Sequence, residues 1–163
     1  MKIWLSVVVS ILFLMSLNHA NAQAINIINF PQLVEAVENA EDVRAIIHFD
    51  NCILTEPANN FKILRRFSGA TTRFNFTQYF HAKERIHDVL IDTVTTSMKI
   101  LIQSPSGELL ILSGRLSVFQ DNTAAVHLDF FDPILHKQEF VINWQCSISN
   151  EQDNNGLVLF NFF

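Results

Sequence analysis

Residues 97–112 decide the fold: Ser97-Met98-Lys99-Ile100-Leu101-Ile102-Gln103 runs into Ser104-Pro105-Ser106-Gly107 and leaves as Glu108-Leu109-Leu110-Ile111-Leu112. Proline in the second and glycine in the fourth position of Ser104–Gly107 is the chemistry of a type I turn. Flanked by aliphatic runs, it predicts an antiparallel hairpin of Ser97–Gln103 against Glu108 onward. Met98, Ile100 and Ile102 are then expected to share a face with Leu109 and Ile111. Beyond Gly114 the apolar positions pass to Leu116 and Val118, so a bulge is expected at Ser113–Gly114, where one extra residue reverses the alternation.

The same period of two extends outward from the hairpin. Gln120-Asp121-Asn122 turns the chain into Ala124, Val126, Leu128 and Phe130, which Asp132-Pro133 closes. Phe140, Ile142, Trp144, Cys146 and Ile148 alternate with polar residues; Glu151–Gly156 is a polar loop, and Leu157–Phe163 a final apolar strand. Upstream, Val43–Phe49, Thr72–Phe80 and Ile86–Val94 carry strand patterns, Thr55–Asn60 with Pro57 reads as a loop, and Phe61–Phe67 admits either state. A helical stripe of Leu33, Val34 and Val37 follows Phe30-Pro31, with Glu35 and Glu38 facing away and Asn39 as its stop. The fold class is therefore α+β, mainly β: a short amino-terminal helix, then an antiparallel sheet of about seven strands in a single domain, residues 23–163.

The amino terminus sets the compartment. Lys2, the run Ile3–Leu17 and Asn18-His19-Ala20-Asn21-Ala22 have the layout of a secretory signal peptide, residues 1–22, cleaved between Ala22 and Gln23. A retained anchor is the competing possibility, but about 20 apolar residues are normally needed to span a bilayer. Cleavage removes one lysine and no acid, so the net charge of −5 becomes −6. With no basic run longer than Arg65-Arg66, neither nucleic acid nor stable membrane insertion is expected of the mature chain. A periplasmic or secreted domain fits.

Export also bears on the cysteines. Cys52 and Cys146 form no CxxC pair and cannot complete a zinc site by themselves. In an oxidising compartment one disulfide is the simplest outcome, against two buried thiols or intermolecular pairing. Closing a loop of about a hundred residues is worth roughly 4–5 kcal/mol in the chain-entropy description.

The layout Phe30-x-x-Leu33-x-x-Ala36, then Val43, Ile47 and Cys52, a β-rich body, and a late Cys146-x-Ile148 before an apolar terminus resembles the VirK family of exported bacterial proteins. The resemblance implies a Gram-negative, host-associated setting and agrees with paired cysteines. It carries no active site with it.

The common catalytic motifs GxSxG and HExxH, the phosphate-binding glycine loop and the dinucleotide fingerprint do not occur. Three constellations remain. His81, Glu84 and His87 could offer metal ligands on a helix, but on a strand Glu84 points away from both histidines, so no metal and no cofactor are expected. If Phe119 opposes Thr123, Arg115 falls opposite His127, with Ser117 and Asp129 on the same face. Those four residues are the candidate binding face. Histidine beside aspartate and serine also suggests a hydrolase using His127 and Asp129, although polar residues on the outer side of a half-buried sheet are ordinary. Finally, the chain has 15 phenylalanines, all but Phe13 in the mature part; they could line a pocket for a small apolar ligand or fill a core. An outer-membrane barrel is disfavoured because Asn161 interrupts the apolar terminus and one mature Tyr and one Trp cannot form two aromatic girdles. The expected function is non-catalytic, host-association-related binding of a protein partner.

Overall fold

The computed structural model describes residues 24–56, 67–86, 88–103 and 107–162. The leader with Ala22 and Gln23, the segment 57–66, His87, the turn residues Ser104-Pro105-Ser106 and Phe163 lie outside these. In chain order the elements are β1 (Ala24–Ile27), α1 (Phe30–Glu38), β2 (Asp42–His48), a 3-10 turn (Phe49–Asn51), β3 (Ile53–Glu56) and β4 (Thr71–Asn75). There follow β5 (Tyr79–Ile86), β6 (Val89–Gln103), β7 (Leu109–Phe119), β8 (Thr123–Asp132), β9 (Lys137–Ser147) and β10 (Leu157–Phe162).

The protein is mainly β with one helix among the described residues, as the alternation predicts, but its strands divide between two antiparallel sheets. Four run in the order β1-β10-β2-β4 and six in the order β3-β9-β8-β7-β6-β5. The larger sheet is a meander from β5 to β9 with β3 added at its edge. Among the described residues both sheets are open, each ending in two edge strands.

Alternation explains how they pack. Along β7, β8 and β9 the even residues Leu112, Leu116, Val118, Val126, Leu128, Ile142 and Trp144 are buried, and their odd neighbours face outward. The smaller sheet contributes Val43, Ala45, Ile47, Phe74, Leu157 and Leu159 to the same core. Each such side chain contributes about 1.5–3 kcal/mol on full burial. Cys52, just after the 3-10 turn, is disulfide-bonded to Cys146 of β9, with Cα atoms 4.6 Å apart and a sequence separation of 94. The bond ties the end of β2 to the larger sheet.

Helix α1 begins at Asn29, whose Oδ1 accepts from Gln32 N–H at 3.0 Å. It ends at Asn39 in a Schellman pattern: Ala40 N–H bonds to Val37 O and Glu41 N–H to Ala36 O, both at 3.1 Å. Phe30, Leu33, Ala36 and Val37 are its buried face. Asn122 at the β7–β8 turn accepts the Phe30 N–H at 2.7 Å. His81 of β5 lies between Glu38 and Asp92, each ring nitrogen 2.9 Å from a carboxylate oxygen. These contacts hold the helix to the β5–β8 side of the larger sheet.

Four expectations are corrected. First, β6 and β7 pair continuously from Thr93–Phe119 to Gln103–Leu109, with no bulge at Ser113–Gly114. Met98, Ile100 and Ile102 therefore share their face with Gly114, Leu112 and Leu110 rather than with Leu109 and Ile111. Four consecutive aliphatic residues, Leu109–Leu112, conceal the phase. The glycine serves packing instead: a Cβ at Gly114 would meet Met98 Cε at 2.9 Å and the Phe74 ring at 3.0 Å. Second, Ile86–Val94 is not one strand, because β5 ends at Ile86 and β6 begins at Val89, with Asp88 at φ 64° between them. Third, Ile53–Glu56 pairs with β9 where the sequence suggests the start of a loop. Fourth, the short β1 is not apparent in the pattern; its partner is the distant β10.

A polar cleft on the larger sheet as candidate recognition site

The expected register is the observed one: Arg115 of β7 pairs directly with His127 of β8, Ser113 with Asp129, and Ser117 with Ala125. Because pairing continues through β6 and β9, the outward side chains form rows across the sheet. One row is Ser97, Arg115, His127 and Asn143; its neighbours are Thr95, Ser117, Ala125, Gln145 and Lys99, Ser113, Asp129, Val141. All four candidate residues thus lie on one face.

That face is concave. A cleft of about 510 Å³ is lined by Arg115, Ser117 and His127 in the centre, by Thr55 of β3 at one edge and by Glu84 and Ile86 of β5 at the other. Contact with both edge strands means that the sheet curls towards its polar side. Thr95, Phe119, Asn143 and Gln145 complete most of the wall. A second cleft of about 490 Å³ adjoins it, lined by Lys99, Ser113, Asp129, Arg115 and His127. Arg115 and His127 belong to both.

Hydrogen bonds orient the site. His127 Nδ1 lies 2.7 Å from Asn143 Oδ1. An amide oxygen can only accept, so the ring donates from Nδ1 and keeps Nε2 for another partner. Ser117 Oγ and Thr95 Oγ1 are 2.9 Å apart. Gln138 Nε2 donates to Asp129 Oδ1 at 3.0 Å. Each member of the serine, histidine and aspartate set is therefore bonded to a different neighbour among the described residues. Arg115 is exposed and has no hydrogen-bond or ion-pair partner among the described residues. Its planar fork of donors is available for a carboxylate or a peptide carbonyl.

The sequence alone does not bring Thr55, Thr95, Glu84, Asn143 or Gln145 into the site. Asn143 and Gln145 are visible as the polar half of β9's alternation, but their placement beside His127 needs the β8–β9 register. Thr55 lies in a stretch that reads as loop, and Glu84 depends on the β5–β6 pairing. Among the described residues no three His, Cys, Asp or Glu side chains converge as metal ligands. His81 turns inward to Glu38 and Asp92, whereas Glu84 faces the cleft; His87 lies outside the described residues.

The aromatic side chains pack on one another. Phe49 and Trp144 have ring centroids 4.3 Å apart, Phe130 and Phe140 stack at 4.3 Å, and Phe67 touches all four. No described helix is long and apolar enough to cross a membrane.

No protein-family model matches the chain, and no curated protein matches it. Among solved structures it is similar to a VirK family protein from Legionella pneumophila, with a TM-score of 0.61 and 14% identity, covering 83% of this chain and 98% of that one. At that identity the likeness is one of fold: the chain has the architecture of a VirK family protein, the family that its sequence layout resembles.

Proposed function

We propose that this is an exported, host-association-related protein that works without catalysis, by noncovalent binding of a protein partner in the concave polar face of the six-stranded sheet. The observation that carries the proposal is the shared position of Arg115 and His127 in two adjoining clefts. An unpaired guanidinium, an oriented imidazole, and hydroxyl and amide groups at strand spacing suit an extended polypeptide, whose carbonyls and carboxylates recur at that spacing. A disulfide between distant segments suits a periplasmic or secreted setting. The VirK-like fold agrees with a virulence-related role.

Native mass spectrometry of the exported chain, combined with crosslinking in envelope and infected-cell extracts, tests the proposal. Protein adducts that disappear with Arg115→Ala are the expected result. A retained lipid-sized mass without adducts would instead identify a carrier of a small apolar ligand. Amino-terminal sequencing tests export separately, with Gln23 expected as the first residue.

A further inference from the structure

Strand β6 outruns its neighbour β5. The two pair only from Val89 to Thr96, where Tyr79 stands opposite Thr96, whereas β7 follows β6 to Gln103. Ser97–Gln103 is therefore a free edge among the described residues. Gln120 N–H donates to Asp92 O at 3.0 Å, which makes Asp92 and Gln120 a hydrogen-bonded pair at the start of the β6–β7 ladder. Antiparallel pairs alternate between bonded and non-bonded, and this ladder has no bulge. The even residues from Val94 to Ile102 thus turn their backbone groups to β7, and Ser97, Lys99, Leu101 and Gln103 turn theirs to the open side.

Folded proteins blunt such edges with short strands, charges, proline or bulges. The other described edges are treated that way: β1 and β3 have 4 residues each, β4 has 5, and β5 carries Lys83, Glu84 and Arg85. The β6 overhang has a single charge, Lys99, and an aliphatic centre in which Ile100 is 45% and Leu101 64% exposed. Its alternate backbone groups and its exposed aliphatic side chains fit another strand.

We propose that the partner is a second copy of this chain, paired antiparallel about a twofold axis that passes through Leu101 perpendicular to the sheet. Opposed side chains must share a face, so only registers centred on a residue are possible. Centring on Lys99 sets two ammonium groups against each other. Centring on Ile100 sets Lys99 against Leu101 and carries the turn of the second copy onto Tyr79. Centring on Leu101 matches every pair: Leu101 meets Leu101 of the second copy, Ile100 meets Ile102, and Lys99 meets Gln103. The outward backbone groups of Lys99, Leu101 and Gln103 then fall in hydrogen-bonded pairs. Charge permits the approach, because no Asp or Glu lies between Asp92 and Glu108 in a chain that is acidic as a whole. An edge contact of this length falls below the standard interface of about 1,600 Å², so the dimer is reversible and grows with concentration. Arg115 and His127 lie outside the contact, and neither proposal depends on the other.

Sedimentation velocity of the exported chain over a concentration series tests the proposal. A monomer–dimer equilibrium is expected, and Leu101→Lys, which places like charges on the axis, should weaken it at least about tenfold. Under mild oxidation Leu101→Cys should link to itself between copies, whereas Ile134→Cys, 71% exposed on the β8–β9 turn, should not. Lys99→Cys should link to Gln103→Cys when the two variants are mixed, which fixes the register. If Leu101→Lys does not fold, the cysteine variants decide. A chain that stays monomeric up to about 1 mM overturns the proposal and leaves the edge to a strand of another protein. A dimer unchanged by Leu101→Lys, or crosslinking at Ile134→Cys as complete as at Leu101→Cys, overturns it as well.

Discussion

Arg115 and His127 face each other across the β7–β8 pair, and each forms part of both clefts on the polar side of the larger sheet. Neither contributes to the core, so Arg115→Ala and His127→Ala should each change folding stability by no more than about 0.5 kcal/mol. Capture of the partner should fall by about tenfold or more in each. Arg115→Lys should restore little, because an ammonium cannot reproduce the guanidinium fork. Urea titrations beside crosslinking yields separate the two effects.

The disulfide and Gly156 depend on the same tight spot. A Cβ at Gly156 would collide with the Cys52 sulfur and approach His48 O to 2.8 Å and Asn51 O to 3.0 Å. Two backbone carbonyls cannot swing aside as a flexible side chain can. Gly156→Ala should therefore cost about 1–3 kcal/mol. The paired change Cys52→Ser with Cys146→Ser should cost about 2–5 kcal/mol. Denaturant midpoints measure both.

Ala40 ends the α1 cap with φ at 57°, a left-handed conformation that its Cβ disfavours. The Schellman hydrogen bonds keep it there. Glycine at this position removes the strain but gives the unfolded chain more freedom, so Ala40→Gly should stabilise by about 0.5–1 kcal/mol. A shift of the urea midpoint to higher concentration at unchanged slope checks it.

Asp153 organises the loop between β9 and β10. The Asn155 backbone N–H, the Asn150 N–H and the Ser149 hydroxyl donate to its carboxylate and hold its pKa below the ordinary 3.8. With the folded value depressed, the stabilisation is fully present above the ordinary value and is lost as pH falls below it towards the folded value. Acid titration of stability between about pH 5 and pH 2 should show this loss, and Asp153→Asn should flatten that part of the curve.

The register at the candidate site is legible because the three-residue turn Gln120–Asn122 fixes which residues of β7 and β8 meet, and both strands alternate cleanly around it. In contrast, Leu109–Leu112 carries no phase, and the short β1 and β3 owe their existence to partners far away in sequence, β10 and β9. Division into two sheets depends on the order of strands rather than on their pattern. The curl that turns a flat polar face into a cleft likewise arises from tertiary packing, which is why Thr55 and Glu84, at opposite edges, do not announce themselves as neighbours of Arg115. Gly114 shows how one letter can mislead: the expected bulge is absent, and the glycine makes room for Phe74 of the opposing sheet.

The most direct test of recognition by the polar face is a comparison of photo-crosslinking from two positions in the exported chain. One photoreactive side chain replaces Thr95, inside the cleft; the other replaces Arg73, exposed on the edge strand β4 of the smaller sheet. A discrete protein adduct from position 95, lost when Arg115→Ala is added and absent from position 73, is the predicted result. Equal adducts from both positions, or an adduct at 95 that Arg115→Ala leaves unchanged, would contradict it.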